Sequence, residues 1–423
     1  MNSRIFLPLL VAIFGLPIHA ETLHCGKLVD VESLEIRERV SIVVEADKII
    51  AVEDGYRTDA GAVDLKSHTC MPGLMDMHVH LSGESNPKRY EERFRLEPTD
   101  LAFRSAVYAE RTLLAGFTTV RDLGTTDGVS LALKRAIEAG LVDGPRIWNA
   151  GKSLATTGGH ADPTNGMRSD LMGDPGADQG VVNGLEDARK AVRQRYKEGA
   201  DLIKITATGG VLSVAASGMN AQFTEEEIRE IVDTAKDYDF HVAAHAHGAE
   251  GMKRAIRAGV RTIEHGTFMD DEAIELFKTH KVWFIPTISA GRFVAEKSKV
   301  PGFYPAVVAT KAAEIGPVAQ ITFRKAYLAG VPIAFGTDTG VSIHGQNGKE
   351  FLYMAEAGMP ALETIRSATL YGAQVLGVED RLGTIEAGKL ADIIATPDSP
   401  QADIVTMQNV VFVMKGGKIY KRP

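Results

Sequence analysis

Residues 195–210, "RYKEGADLIKITATGG", decide the fold. A basic helical stretch stops at Gly199, the chain turns, and Leu202, Ile203 and Ile205 make a short apolar strand that ends in two glycines. Lys204 interrupts that strand. An ammonium left bare in a buried strand carries a large desolvation cost, so Lys204 needs a partner, a neutral state or a chemical purpose.

The same sentence recurs on either side. It is read in "RTLLAGFTTVRDLG" (111–124), "AIEAGLVDGPRIWNAG" (136–151), "AIRAGVRTIEHG" (255–266) and "YLAGVPIAFGTD" (327–338), each a helix, a glycine and an apolar strand. Gly116, Gly199, Gly259 and Gly330 stand where a helix C-terminus takes a left-handed residue. Ahead of "FHVAAHAHG" (240–248), Thr224 and Glu227 have capping-box spacing, and Ile228, Ile231, Val232 and Ala235 share one helix face. With "GLMDMHVH" (73–80) and "KVWFIPTIS" (281–289), strands are expected near 74–80, 117–122, 145–151, 201–208, 240–247, 260–265, 282–288 and 331–338. Eight such β/α units predict an α/β fold, a TIM-type (β/α)8 barrel spanning 74–387. An open doubly wound sheet would carry a glycine-rich phosphate loop after its first strand, and none stands there.

The two ends differ from this middle. Residues 21–73, with "RVSIVVEADKIIAVEDG" (39–55), and 388–423, with "NVVFVMKGGKIYKR" (409–422), are strand-rich and are expected to meet as the halves of a small β-sandwich domain. Residues 1–20, "MNSRIFLPLLVAIFGLPIHA", have a positive start, a short apolar run broken by Pro8 and Pro17, and Ala20 at the end, which is the anatomy of a cleaved secretory signal peptide. An exported protein, periplasmic or secreted, is the expectation. Cys25 and Cys70 are the only cysteines; in an oxidising compartment they could pair, and the sequence leaves bridge and free thiols both open. The net charge of the 423 residues is −8, or −9 without the leader and its Arg4. That balance argues against nucleic acid as a partner, and no later stretch is long and apolar enough for stable membrane insertion.

Polar residues gather at the strand ends. In "MDMHVH" the alternation of a strand puts His78 and His80 on one side. Alone, an H-x-H pair says little. Strand four adds Lys204, strand five His245 and His247, strand six His265 and strand eight Asp338, and in a barrel these ends share one mouth. Imidazoles and carboxylates are ligands that zinc and its neighbours take. A lysine beside two divalent ions would be driven neutral, and its amine could then take up carbon dioxide as a carbamate, an anionic bridge between the ions. The bland alternative is a lysine that reaches solvent or pairs with Asp201.

With "MPGLMDMHVH", "LIKITATGG", "VAAHAHG", "TIEHGT" and "FGTDTG", the chain resembles the binuclear-metal subtype of the amidohydrolase superfamily, along nearly all its length after the leader. "TTGGH", "KITATGGV" and "HAHG" look most like the branch of Xaa-Pro dipeptidases, related exported dipeptidases and ochratoxin A-hydrolysing amidohydrolases. The resemblance implies that His78 and His80 hold one divalent ion, zinc by expectation, that carboxylated Lys204 bridges, and that His245 and His265 hold the second. Asp338 would touch the first ion and carry the proton. His247 is expected to contact substrate rather than metal, and His160, in the glycine-rich "TTGGHADP" (156–163), to meet a substrate carboxylate, although a plain loop histidine is nearly as good a reading there. His344 is expected to be structural, and the basic run "RKAVRQRYKEG" (189–199) a solvated helix face.

The implied activity is hydrolysis of an amide joining an acyl group to an amino acid with a free carboxylate: a dipeptide, an N-acyl amino acid or ochratoxin A. Hydrolysis of a cyclic amide or lactone, as by an imidazolonepropionase, is the second reading; a catalytically inactive scaffold would have lost ligands, and none is missing. Homo-oligomers, octamers included, are implied by the resemblance alone.

Overall fold

The computed structural model describes residues 20–58, 61–125 and 127–423. The expected leader, all but Ala20, lies outside the described residues.

The N-terminal strands are β1 (Glu21–Asp30), β2 (Glu35–Glu45), β3 (Lys48–Asp54) and β4 (Val63–Pro72). Seven further strands carry the middle of the chain: β5 (Leu74–Val79), β6 (Phe117–Asp122), β7 (Arg146–Asn149), β8 (Ile203–Thr206), β9 (Val242–Ala246), β10 (Thr262–His265) and β11 (Trp283–Ile285). β12 (Ile393–Thr396), β13 (Phe412–Lys415) and β14 (Lys418–Lys421) close it.

The two ends do meet. β4 pairs antiparallel with β12, and both ends share one seven-stranded sheet of order β14-β13-β12-β4-β1-β2-β3. The sequence suggested two facing sheets; by hydrogen bonding there is one, with a core of its own that takes Leu23, Ile42 and Leu65 from the N-terminal part and Ile393 and Phe412 from the C-terminal part. Cys25 and Cys70 form a disulfide between β1 and β4, 45 residues apart.

The middle alternates parallel strands with helices. β5-β6-β7 and β11-β10-β9-β8 form two parallel sheets, with Ile203, Ile205, Ala244, Ile263 and Phe284 packed against helical Ile228, Met252, Ala273 and Phe277. Apolar strands covered by helices are what a parallel arrangement requires. Gly116, Gly199, Gly259 and Gly330 all have positive φ, from 77 to 97°, as the spacing demanded. The capping box of helix Glu225–Lys236 is complete: Glu227 N donates to Thr224 Oγ1 and Thr224 N to Glu227 Oε2.

The eighth expected strand, 331–338, is not regular. Pro332 has no N–H to give, Gly336 lies so close to β11 that a Cβ would fall 2.3 Å from Ile285 Cγ2, and Asp338 turns to φ 55°. The segment nevertheless runs between β11 and β5. Phe284 N donates to Pro332 O, Ala334 N to Phe284 O, Met77 N to Phe335 O and His80 N to Thr339 O, at 2.7–3.1 Å. On the other flank, Leu154 N donates to Lys204 O and Thr206 N to Leu154 O, next to β8.

Candidate active site

His78, His245 and His265 come from the C-terminal halves of β5, β9 and β10, His80 from the residue after β5, Asp338 from the end of segment 331–338, and Lys204 from the second residue of β8. In register, Lys204 on β8 stands level with Ala243 on β9, so that His245, two residues on, faces the same side. His245 in turn stands level with Glu264 on β10, one residue before His265. The imidazoles form a continuous chain of ring contacts: His80 to His78 at 5.3 Å, His78 to His265 at 5.1 Å, His265 to His245 at 4.6 Å, and His245 to His160 at 4.5 Å.

Each ligand candidate has one ring nitrogen already engaged. His78 Nδ1 lies 3.0 Å from Glu264 Oε2, His80 Nδ1 3.1 Å from Gly124 O, and His245 Nε2 3.0 Å from Gly209 O. An acceptor at one nitrogen places the hydrogen there and leaves the other nitrogen a lone pair. The tautomers so inferred turn Nε2 of His78 and His80 toward Asp338 Oδ1, at 3.5 and 3.2 Å. That oxygen is buried and makes no hydrogen bond. Three electron-pair donors within 4.8 Å of one another repel unless a cation sits among them, so the residues present fit a divalent metal. His265 Nδ1 meets Thr287 Oγ1 at 2.8 Å, leaving its Nε2. His245 and His265 do not join the tight His78–His80–Asp338 group; they line the adjacent space together with Lys204.

Electrostatics prepare the same ligands. Burial, reinforced by the Lys204 charge, lowers His78 to about 4, and His245 and His265 fall well below the usual imidazole value, first through burial and then through neighbouring histidines. All three are neutral at neutral pH, the state in which imidazole binds metal. At His80 burial is outweighed by Asp338 and Asp122, and the value rises; the field that favours a proton there would favour a metal ion. Asp338 falls to about 2, because His78 and His80 outweigh its burial.

Lys204 is 3% exposed. Burial lowers it to about 8, against the pull of Glu264 and Asp338. Asp201, the partner of the bland reading, is occupied by Lys134 at 2.6 and 2.8 Å.

His265, Thr287 and Asp338 share a backbone feature, φ of 73, 49 and 55°. Left-handed conformations in non-glycine residues cost energy and gather where side chains must be aimed.

The remaining histidines divide. His247 is buried beside the cluster, stacked at 5.0 Å on His265, with Nδ1 2.8 Å from Thr267 Oγ1. His160 stacks on His245 and meets Ser213 Oγ at 3.0 Å. His344 lies on the His80 side of the cluster: Nε2 meets Gly83 O at 2.9 Å and the ring stacks on Tyr108. On the basic helix Leu185–Glu198, Arg189 pairs with Glu186 and Glu230, Lys190 with Asp178 and Arg195 with Glu198.

Two residues were not singled out from the sequence. Glu264 and Arg121, both fully buried, form an ion pair at 2.9 Å, and Glu264 orients His78 with its other oxygen. Arg121, His78, Lys204 and the Glu264–His78 contact together hold Glu264 near 2 despite its burial. A charged residue inside an apolar strand, the signal that drew attention to Lys204, is equally present in "TTVRDLG" and "TIEHG".

Comparison with known proteins places this arrangement. Residues 69–420 match the amidohydrolase family. Ochratoxinase of Aspergillus niger is 30% identical over 95% of this chain and 86% of its own. A solved Xaa-Pro dipeptidase with methionine bound in its active site is 52% identical, with TM-score 0.93 over 95% of this chain and all of the other. A prolidase in complex with N-methylphosphonate-L-proline is 33% identical, with TM-score 0.87 over 96% of this chain and all of the other.

Proposed function

This chain belongs to the amidohydrolase family, and from that premise we propose that it is a binuclear metal-dependent hydrolase. Its substrates are amides that join an acyl group or an amino acid to an amino acid with a free carboxylate. Dipeptides and N-acyl amino acids make up that class, and ochratoxin A falls within it. The Xaa-Pro dipeptidase and ochratoxinase likenesses support this substrate class. The observation that carries the metal is the convergence of the His78 and His80 lone pairs on the unsatisfied Asp338 Oδ1.

His78, His80 and Asp338 would hold one ion, zinc by donor type. His245 and His265 would hold the second, with Lys204 between as its carbamate; the neutral amine needed to add carbon dioxide is accessible because burial lowers Lys204. Two such ions, when bound, polarise a carbonyl and make hydroxide available near neutral pH. Asp338 would take the proton of the attacking water and deliver it to the leaving amide nitrogen, which departs poorly unless protonated. His247 and His160 border the same space and contact the substrate. The frame is a closed barrel of residues 74–387, joined through Leu154 and segment 331–339, with 21–73 and 388–423 as one accessory domain. Export, with removal of residues 1–20, and homo-oligomerisation belong to the same reading.

The test is a hydrolysis panel of dipeptides and N-acyl amino acids beside a cyclic amide and a lactone, run on zinc-loaded protein with Lys204→Ala and Asp338→Ala. Linear amides with free carboxylates should be cleaved, and both variants should lose at least about a hundredfold in kcat. Full activity in both variants, or turnover of the cyclic amide or lactone alone, overturns the reading.

A further inference from the structure

Helix Ile288–Lys297 follows β11, and its first turn is closed by a residue from another element. Thr287 stands at the N-cap, where a threonine hydroxyl ordinarily accepts from the first turn, and Thr224 and Asp270 cap their own helices in that manner. Thr287 makes no such bond and its backbone sits at φ 49°. Its Oγ1 lies 2.8 Å from His265 Nδ1 instead. The amides left open are met by Glu350, on helix Lys349–Glu356. Ile288 N donates to Glu350 Oε1 at 2.8 Å, and Ser289 N and Ser289 Oγ both donate to Oε2 at 2.6 Å. Glu350 is fully buried; these three donors and the positive end of the helix stabilise its carboxylate there.

One hydroxyl cannot do both jobs. In the ordinary N-cap the backbone is extended and the side-chain oxygen turns back onto the N–H of the third helical residue, which here is Ala290. At φ 49° it is the Thr287 carbonyl that accepts from Ala290 N and Gly291 N, at 3.1 and 3.3 Å, while Thr287 N donates to Gly336 O at 3.1 Å. The side chain is thereby released toward β10. A left-handed β-branched residue is unfavourable on its own, and the bonds from Glu350 to the next two residues offset that. With Nδ1 held by Thr287, Nε2 is the nitrogen that His265 has left for an ion.

Resting on the binuclear reading, we infer that Glu350 is a positioning residue for the second ion: by capping helix Ile288–Lys297 in place of Thr287, it frees the Thr287 hydroxyl to fix the ring of His265. The arrangement differs from that at His78, where the Glu264 carboxylate meets the imidazole directly. Here the carboxylate acts at one remove, through a helix terminus and a hydroxyl.

Wild type, Glu350→Gln, Glu350→Asp, Thr287→Val, Thr287→Ser and the double variant Glu350→Gln/Thr287→Val are compared by zinc titration against a chromophoric chelator, which reads the ions separately. Crystal structures of zinc-free wild type and the two Glu350 variants accompany them. Thr287→Val and Glu350→Gln should each weaken one ion by ~10- to 100-fold, the effect of losing an orienting partner, and leave the other unchanged. Thr287→Ser, which keeps the hydroxyl, should bind both ions as wild type does. Glu350→Asp, whose carboxylate is drawn back by one methylene, should weaken the same ion by less, and it carries the test where Glu350→Gln does not fold. The double variant should be no weaker than Thr287→Val, since the two residues act in series. In the zinc-free Glu350 variants Thr287 should leave the left-handed region, its Oγ1 should accept from Ala290 N, and the contact with His265 should be lost. Affinities unchanged in Thr287→Val or in both Glu350 variants overturn the inference, as do additive losses in the double variant or equal weakening of both ions. A wild type that takes up a single ion contradicts the binuclear reading; the zinc-free structures then decide the Glu350 link, and a Thr287–His265 contact retained in the Glu350 variants overturns it.

Discussion

Glu264 shows how much of a metal site lies outside its ligands. It is fully buried, it neutralises Arg121, and it fixes which nitrogen of His78 carries the hydrogen. Removing one partner of a buried ion pair strands the other charge, at a cost of about 3–5 kcal/mol. Glu264→Ala should therefore lower stability by that order, measured by denaturant unfolding. It should also weaken metal binding by ~10- to 100-fold, as loss of an orienting partner does, measured by competition with a chelator. Unchanged metal affinity would show that Glu264 does not set the orientation of His78. Protonation gives a second test at this scale. In chelated protein His78 and His247 titrate at about 4 where a free imidazole has 6.5, so the unfolded chain binds more protons between those values. Their contribution is intact above pH 6.5 and is lost as the pH falls toward 4; His80, which is raised, works in the opposite sense. The melting temperature of the metal-free protein should fall mainly across that window, and a flat profile there would contradict the neutral histidine cluster.

At the scale of elements, the glycine turns and the capping box were legible because each rests on local chemistry. Gly199 and Gly259 end their helices with left-handed backbone, and Thr224 with Glu227 opens one. The irregular course of 331–338 was less legible, since a proline, a close-packed glycine and a left-handed Asp338 act together there, and only the packing of Gly336 on Ile285 shows why. Glu264 and Arg121 were missed for a similar reason: a charge inside a strand announces that it has a partner without saying which. The loop after β8 carries a prediction of its own. A Cβ on Gly210 would fall 2.3–2.5 Å from the His160 ring, and Lys311 pins this loop by donating to Gly210 O, Ser213 O and Ala215 O at 2.8 Å each. Gly210→Ala should displace His160 and raise KM several-fold, with metal content unchanged by elemental analysis. An unchanged KM would remove His160 from the substrate contacts.

Across the whole molecule, the two ends of the chain fold together before and after the catalytic frame, and a disulfide ties the first of them. It closes a loop of 45 residues between β1 and β4, worth about 4 kcal/mol by chain entropy and typically 2–4 in practice. Cys70→Ser should lower stability by about that amount while leaving kcat unchanged, since the bridge lies in the seven-stranded sheet and away from the histidines. Pairing of the ends was readable from their shared strand-rich pattern; the bridge was not, because two cysteines carry no geometry until β1 and β4 lie side by side. The central claim is that His78, His80, Lys204, His245, His265 and Asp338 hold a pair of catalytic cations. Titrating zinc into chelated protein while following dipeptide hydrolysis tests it most directly. Activity should be absent at first and should rise until two equivalents per chain are bound, whereas cleavage that proceeds undiminished in the chelated protein would contradict the account.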